Sequence, residues 1–80
     1  MAVIAAVRKP EPIQIKGLNG KGAISCPGAT VGSVVGLVVN IATGGIETSN
    51  FESTISIFGQ LQQTSTSNLT SNEYWAYLIG

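Results

Sequence analysis

Turn residues cut this chain so often that no apolar run keeps a helical period. Pro10 and Pro12, Asn19-Gly20, Pro27-Gly28 and Thr43-Gly44-Gly45 each separate short apolar stretches. Asn and Gly accept the positive φ of a tight turn, and Pro removes an amide donor. Between these breaks many apolar residues are β-branched and alternate with polar ones, the period-two pattern of a half-buried strand. About five or six short strands at close turn spacing predict an all-β fold, a small antiparallel sandwich or barrel.

Four stretches carry that reading. Ile13 and Ile15 alternate with Gln14 and Lys16, and Asn19-Gly20 then predicts a hairpin with Ala23–Ser25 as its returning strand. Val34–Ile41 is apolar on both faces, which predicts a central strand covered on both sides. Gly36 within it marks a bulge or a close backbone approach. Phe51, Ile55, Ile57 and Leu61 share a parity, with polar residues between them and a break at Phe58-Gly59 read as a bulge. Tyr74–Ile79 is an aromatic closing strand. The expected core or interface residues are Val35, Leu37, Val39, Phe51, Ile55, Ile57, Leu61 and Trp75.

Size then limits stability. The chain has 80 residues and reads as one domain over 1–80. A chain of this length buries only about 60% of its unfolded surface, and scaffolds this small commonly rely on a disulfide, a metal or oligomerisation. Cys26 is the only cysteine and histidine is absent, so oligomerisation is the staple that remains. Charged residues make up 10% and sum to zero, against about 25% charged in a typical domain. A surface without net charge favours association.

The N-terminal segment reads separately. Ala2–Val7 is a short apolar run, a first strand or an unstructured start. Arg8 and Lys9 follow it instead of preceding it, unlike a secretory signal. Pro10 and Pro12 favour extended backbone, so residues 1–12 read as an extended arm. All four basic residues lie within the first 21 positions, too few for the basic footprint of a nucleic-acid binder.

Catalytic chemistry has little to build on. Without histidine, Cys26 has no imidazole to deprotonate it, and a lone cysteine is normally a small buried apolar residue. Glu47 and Glu52 form an acid–base pair only if a cleft brings them together; otherwise they are solvated loop carboxylates. Gly17–Gly22 fails as a phosphate loop, because Gly22 stands where Ser or Thr must follow Lys21. Asn68-Leu69-Thr70 matches a glycosylation triplet, which arises by chance in Ser/Thr/Asn-rich sequence. These readings predict no enzyme, no cofactor and no metal.

One rival comes from a different class. Between Lys21 and Glu47 lie 25 uncharged residues, with Gly28, Gly32 and Gly36 at the spacing of packed transmembrane helices. Ser25, Thr30, Ser33, Asn40 and Thr43 dilute its apolarity, Pro27 and Gly44-Gly45 trim it, and its apolar centre, Val34–Ala42, is too short to span. No membrane association is expected.

Val31-Gly32-Ser33-Val34-Val35, Thr43-Gly44-Gly45, Ser49–Ile57, Gly59–Gln63 and Asn68–Asn72 together resemble short uncharacterised proteins encoded by tailed bacteriophages, typically among virion genes. The resemblance covers about residues 31–79. Ser33 stands where members often carry an acid after the Val-Gly. The family brings no assigned catalytic residues. It implies a structural protein of the virion, assembled in the host cytoplasm: a capsid decoration, head-fibre or tail accessory component. The implied partners are copies of itself, with a trimer as the working number, and other virion proteins. The alternative from another class is a soluble β-module that binds a host surface glycan or protein.

Overall fold

A computed structural model describes residues 12–79. The arm expected over 1–12 therefore lies outside the described residues, except for Pro12. The described chain is all-β: β1 (Ile13–Lys16), β2 (Gly22–Ser25), β3 (Val34–Asn40), β4 (Gln60–Gln63) and β5 (Glu73–Ile79), with a single 3-10 turn at Thr48–Asn50. All pairing is antiparallel. One sheet has the order β1-β5-β3 and the other is the pair β2-β4.

The stretch between β3 and β4 joins the sheets. The Val35 amide donates to the Ser53 carbonyl (2.8 Å) and the Ile55 amide to the Ser33 carbonyl (2.8 Å). On the far side, the Glu52 amide donates to the Gln62 carbonyl (3.0 Å), and Phe51 bridges to Gln63. The hydrogen-bonded order therefore runs β1, β5, β3, the 51–55 strip, β4, β2. It wraps one core built from Ile15, Ile24, Val35, Val38, Leu61, Tyr74 and Ala76 of the strands, with Cys26, Ala29, Phe51, Ile55 and Leu69 from the connections. Phe51 meets Tyr74 edge to face, with ring centroids 5.2 Å apart, a geometry worth about 0.5–1.5 kcal/mol beyond burial.

Several sequence expectations are corrected. Asn19-Gly20 does turn the chain, with Gly20 at φ 100°, but β1 and β2 do not form a hairpin. β1 pairs with β5, and β2 pairs with β4. Turn chemistry fixes a reversal of direction; which edge each strand then joins depends on where its apolar face can be buried. The central strand is β5, while β3 sits at the sheet's edge. β3's outer edge is covered by loops: the Glu47 amide donates to the Val38 carbonyl (2.8 Å) and the Val38 amide to the Thr48 hydroxyl (3.0 Å).

Gly36 sets the phase of β3. The register slips between Val35, opposite Leu78, and Leu37, opposite Tyr77. This bulge puts Val35 and Val38 on the core side, and Leu37 and Val39 on the other. Residues 51–57 are not a regular strand, because their pairing passes from β4 to β3 along the way. Phe58-Gly59 is the tip of a tight turn, with Gly59 at φ 75° and the Gln60 amide on the Ile57 carbonyl (3.1 Å), not a bulge. Gly28 and Gly32 lie in turns at positive φ, so the evenly spaced glycines belong to no helix. Among the described residues no helix is long and apolar enough to cross a membrane.

Candidate interaction surface

The three-stranded sheet has two unlike faces. Tyr74 and Ala76 of β5 point into the core; Trp75, Tyr77 and Ile79 point away from it. Residues directly opposite across a strand pair share a face, so the registers map the outward side. One row runs Ile46, Val39, Trp75, Gln14, the next Leu37 and Tyr77, and the last Val34 and Ile79. Ile46 is 72% exposed, Ile79 56% and Val34 47%. Leu37, Val39, Trp75 and Tyr77 are half-buried. Polar groups stand at one margin, where the Gln14 amide nitrogen donates to Glu73 (3.0 Å) and Lys16 lies opposite Glu73 in the β1–β5 register. No charge interrupts the apolar rows.

With strands about 4.8 Å apart and a rise of about 3.3 Å per residue, the apolar rows span roughly 13 Å along β5 and roughly 14 Å across at the Trp75 row. The largest contiguous apolar patch on a small protein is often its functional surface.

A smaller apolar projection lies at a loop pair. The Gly32 amide donates to the Ile55 carbonyl (2.9 Å) and the Gly59 amide to the Ala29 carbonyl (2.8 Å). From these joined loops Val31, Ile57 and Phe58 reach into solvent, Phe58 at 71% exposure.

The expected core or interface residues thus divide. Val35, Phe51, Ile55 and Leu61 are buried in the core, and Leu37, Val39 and Trp75 lie on the outward face. Ile57 lies outside the core: beside the turn at Gly59 it is 49% exposed. Sequence reasoning missed Ile46, Val31 and Phe58, each in or beside a turn where no alternation assigns a face. Tyr77 and Ile79 carried a signal, since they share Trp75's parity.

The carboxylates are held by structure instead of by solvent alone. Half-buried Glu47 accepts from the Tyr74 hydroxyl (3.0 Å), the Asn50 side chain (3.1 Å) and the Asn40 side chain (3.0 Å). Glu52 accepts from the Ser56 hydroxyl (2.9 Å) and the Gln62 amide (2.9 Å). Each clamps a loop. Cys26 is fully buried, and desolvation raises its thiol pKa, which disfavours the thiolate. Among the described residues no group of three potential ligands could hold a metal.

Comparison with protein-family models, curated proteins and solved structures finds no match to this chain.

Proposed function

We propose that this chain is a non-catalytic structural protein that works by assembly, packing on copies of itself and on a larger particle. The observation that carries this reading is the uncharged apolar face centred on Trp75 and Tyr77. Removing apolar area from water at this face favours contact, while lost translational and rotational freedom takes back roughly 4–15 kcal/mol. A patch of this size leaves the contact modest, as suits a subunit held at more than one surface. The resemblance to virion-associated proteins of tailed phages gives the particle its proposed identity, a phage head or tail on which the protein acts as a decoration or accessory subunit.

Light scattering on a size-exclusion column in plain buffer tests the assembly reading. A single species at an integer multiple of the chain mass is expected, with three copies as the working number. A monomer that persists at high concentration would overturn it.

A second reading is favoured by the pairing of Gln14 with Trp75 in register. An amide beside an aromatic face suits a sugar ring, which makes a host glycan the alternative ligand. Iodide quenching of Trp75 separates the two: protection in the assembled species supports packing, and ready quenching supports the glycan module.

A further inference from the structure

The wrapped order of strands stops at β1 on one side and at β2 on the other. These strands are consecutive in the chain yet belong to different sheets. The Gly17 amide donates to the Asn72 carbonyl (3.1 Å), and the Cys26 amide to the Gly59 carbonyl (2.9 Å). Those bonds continue the two ladders and fix their phase. Residues 13 and 15 turn their backbone groups toward β5, and residues 22 and 24 toward β4. By alternation, the backbone groups of Gln14 and Lys16 face away from β5, and those of Ala23 and Ser25 face away from β4. All four residues are exposed. Between the two edges lies an open groove of about 420 Å³ that reaches Ile15, Leu18 and Ile24. At the turn end, the Gln63 side chain ties off the seam: it accepts from the Leu18 amide (2.8 Å) and donates to the Leu18 carbonyl (3.1 Å).

We infer that this seam is a strand-acceptor site, and that its occupant is residues 2–7 of a second copy. It rests on the reading that the chain self-assembles, and adds to it a site distinct from the outward sheet face. Strand addition matches main-chain groups at an open edge and seats alternate side chains in the groove. The groove's chemistry calls for an uncharged apolar segment without proline, at least as long as the four-residue edges of β1 and β2. Ala2-Val3-Ile4-Ala5-Ala6-Val7 has that chemistry and length. It joins the described fold through Arg8–Pro12, at the Ile13 end of the seam, opposite the end closed by Gln63. Pro10 and Pro12 hold their own φ near −65° and push the residue before each into extended backbone. We take a second copy as the donor because two prolines in so short a linker disfavour the tight reversal needed to lay residues 2–7 along their own β1.

Light scattering on full-length variants tests this. Ala23→Pro removes an amide donor that faces the seam and that β4 does not use, a position where an edge strand accepts proline. Ile4→Asp charges the donor segment. Both variants are expected to keep the wild-type circular dichroism while the assembled mass falls to that of a single chain or a smaller multiple. A synthetic peptide of residues 1–9, added in excess to wild type, is expected to lower the mass as well; it reads the same contact if Ala23→Pro fails to fold. An assembled mass unchanged by Ile4→Asp and by the peptide overturns the seam site and leaves the assembly reading standing. A monomeric wild type overturns both. A monomer that loses thermal stability on Ile4→Asp shows the segment serving its own chain, and that outcome overturns the second copy as occupant.

Discussion

β5 presents its even residues to one environment and its odd residues to another. Tyr74 and Ala76 are fully buried, whereas Trp75 and Tyr77 are half-buried and Ile79 is 56% exposed. Both sets are apolar. A strand apolar on both faces belongs in a sheet covered on both faces, and the described chain supplies a cover for only one. Among the described residues, the strands carry more apolar surface than the one core takes in. The inner face serves folding. The outer face has the same chemistry, and among the described residues nothing covers it, which is what the proposed assembly would use.

Truncating one residue from each face breaks or sharpens that comparison most directly. Tyr74→Ala removes a buried aromatic from the centre of the core and should destabilise the fold by about 3–5 kcal/mol. The loss should be the same at every protein concentration. Trp75→Ala removes a ring that is already partly in water, so folding of the single chain should lose only about 1–2 kcal/mol on area grounds. Its effect should grow with concentration, because stability shared with a neighbour rises with protomer concentration. Thermal melts at two concentrations a hundredfold apart would check this. Equal, concentration-independent losses for both variants would mean the outer face belongs to the fold.

Two glycines extend the test to the backbone. A Cβ on Gly17 would collide with the Leu69 carbonyl oxygen and Cβ, where the backbone cannot yield cheaply. Gly17→Ala should therefore cost about 1–3 kcal/mol by overpacking. A Cβ on Gly36 would instead meet the tip of Ile79, 2.7 Å away. That side chain is on the exposed face and can swing aside, so Gly36→Ala should cost less than about 1 kcal/mol. Urea melts of the two variants compare them directly. A Gly36→Ala loss as large as that of Gly17→Ala would show that Ile79 is held in place by more than solvent.

The strands were legible in the sequence because alternation and turn residues act within a few positions of one another. Their partners were not. Asn19-Gly20 announces a reversal, yet Ile15 and Ile24 are buried in separate sheets because the distant strands β5 and β4 offer each of them a better-covered edge. The phase of β3 was hidden by a single inserted residue: without the slip at Gly36, Leu37 and Val39 keep the parity of Val35 and read as core. Gln63 was hidden for another reason. It stands in a run of polar residues and reads as surface, yet it is 1% exposed. Its side chain meets the Leu18 amide and carbonyl and the carbonyls of Ser65 (3.2 Å) and Ser67 (3.1 Å). Of the outward face, Trp75, Leu37 and Val39 were visible as core-or-interface residues, but which side they faced required the register.

Gln63 also supplies a comparison within the core, between an apolar residue and a polar one. Gln63→Leu keeps much of the volume and leaves the Leu18 amide without its acceptor. An unpaired buried donor costs about 1–3 kcal/mol, so the variant should be destabilised even though its core becomes more apolar. Amide hydrogen exchange should show the loss first at Leu18, before β1 opens. A variant as stable as wild type, with Leu18 still protected, would mean that water or a neighbouring group replaces the side chain.

The smallest expected effect separates the two faces by pH. Tyr74 holds its phenol pKa above the ordinary value near 10, first through burial and then through its hydrogen bond to the Glu47 carboxylate. Between the unfolded and folded pKa values the folded chain binds more protons than the unfolded one. Stability must then fall as pH rises. Below about pH 10 the contribution is fully present; above it, stability declines until the folded phenol also ionises, with a slope of at most about 1.4 kcal/mol per pH unit. Tyr74→Phe removes the proton and with it this alkaline decline. At neutral pH the same variant deprives Glu47 of one of its three donors, a loss of about 1–2 kcal/mol. Melts of both proteins from pH 7 to 11.5 should therefore converge as pH rises, the wild type losing its advantage. Curves that stay parallel would show that the Tyr74–Glu47 contact does not couple proton binding to folding, and that the inner face is held by apolar packing alone.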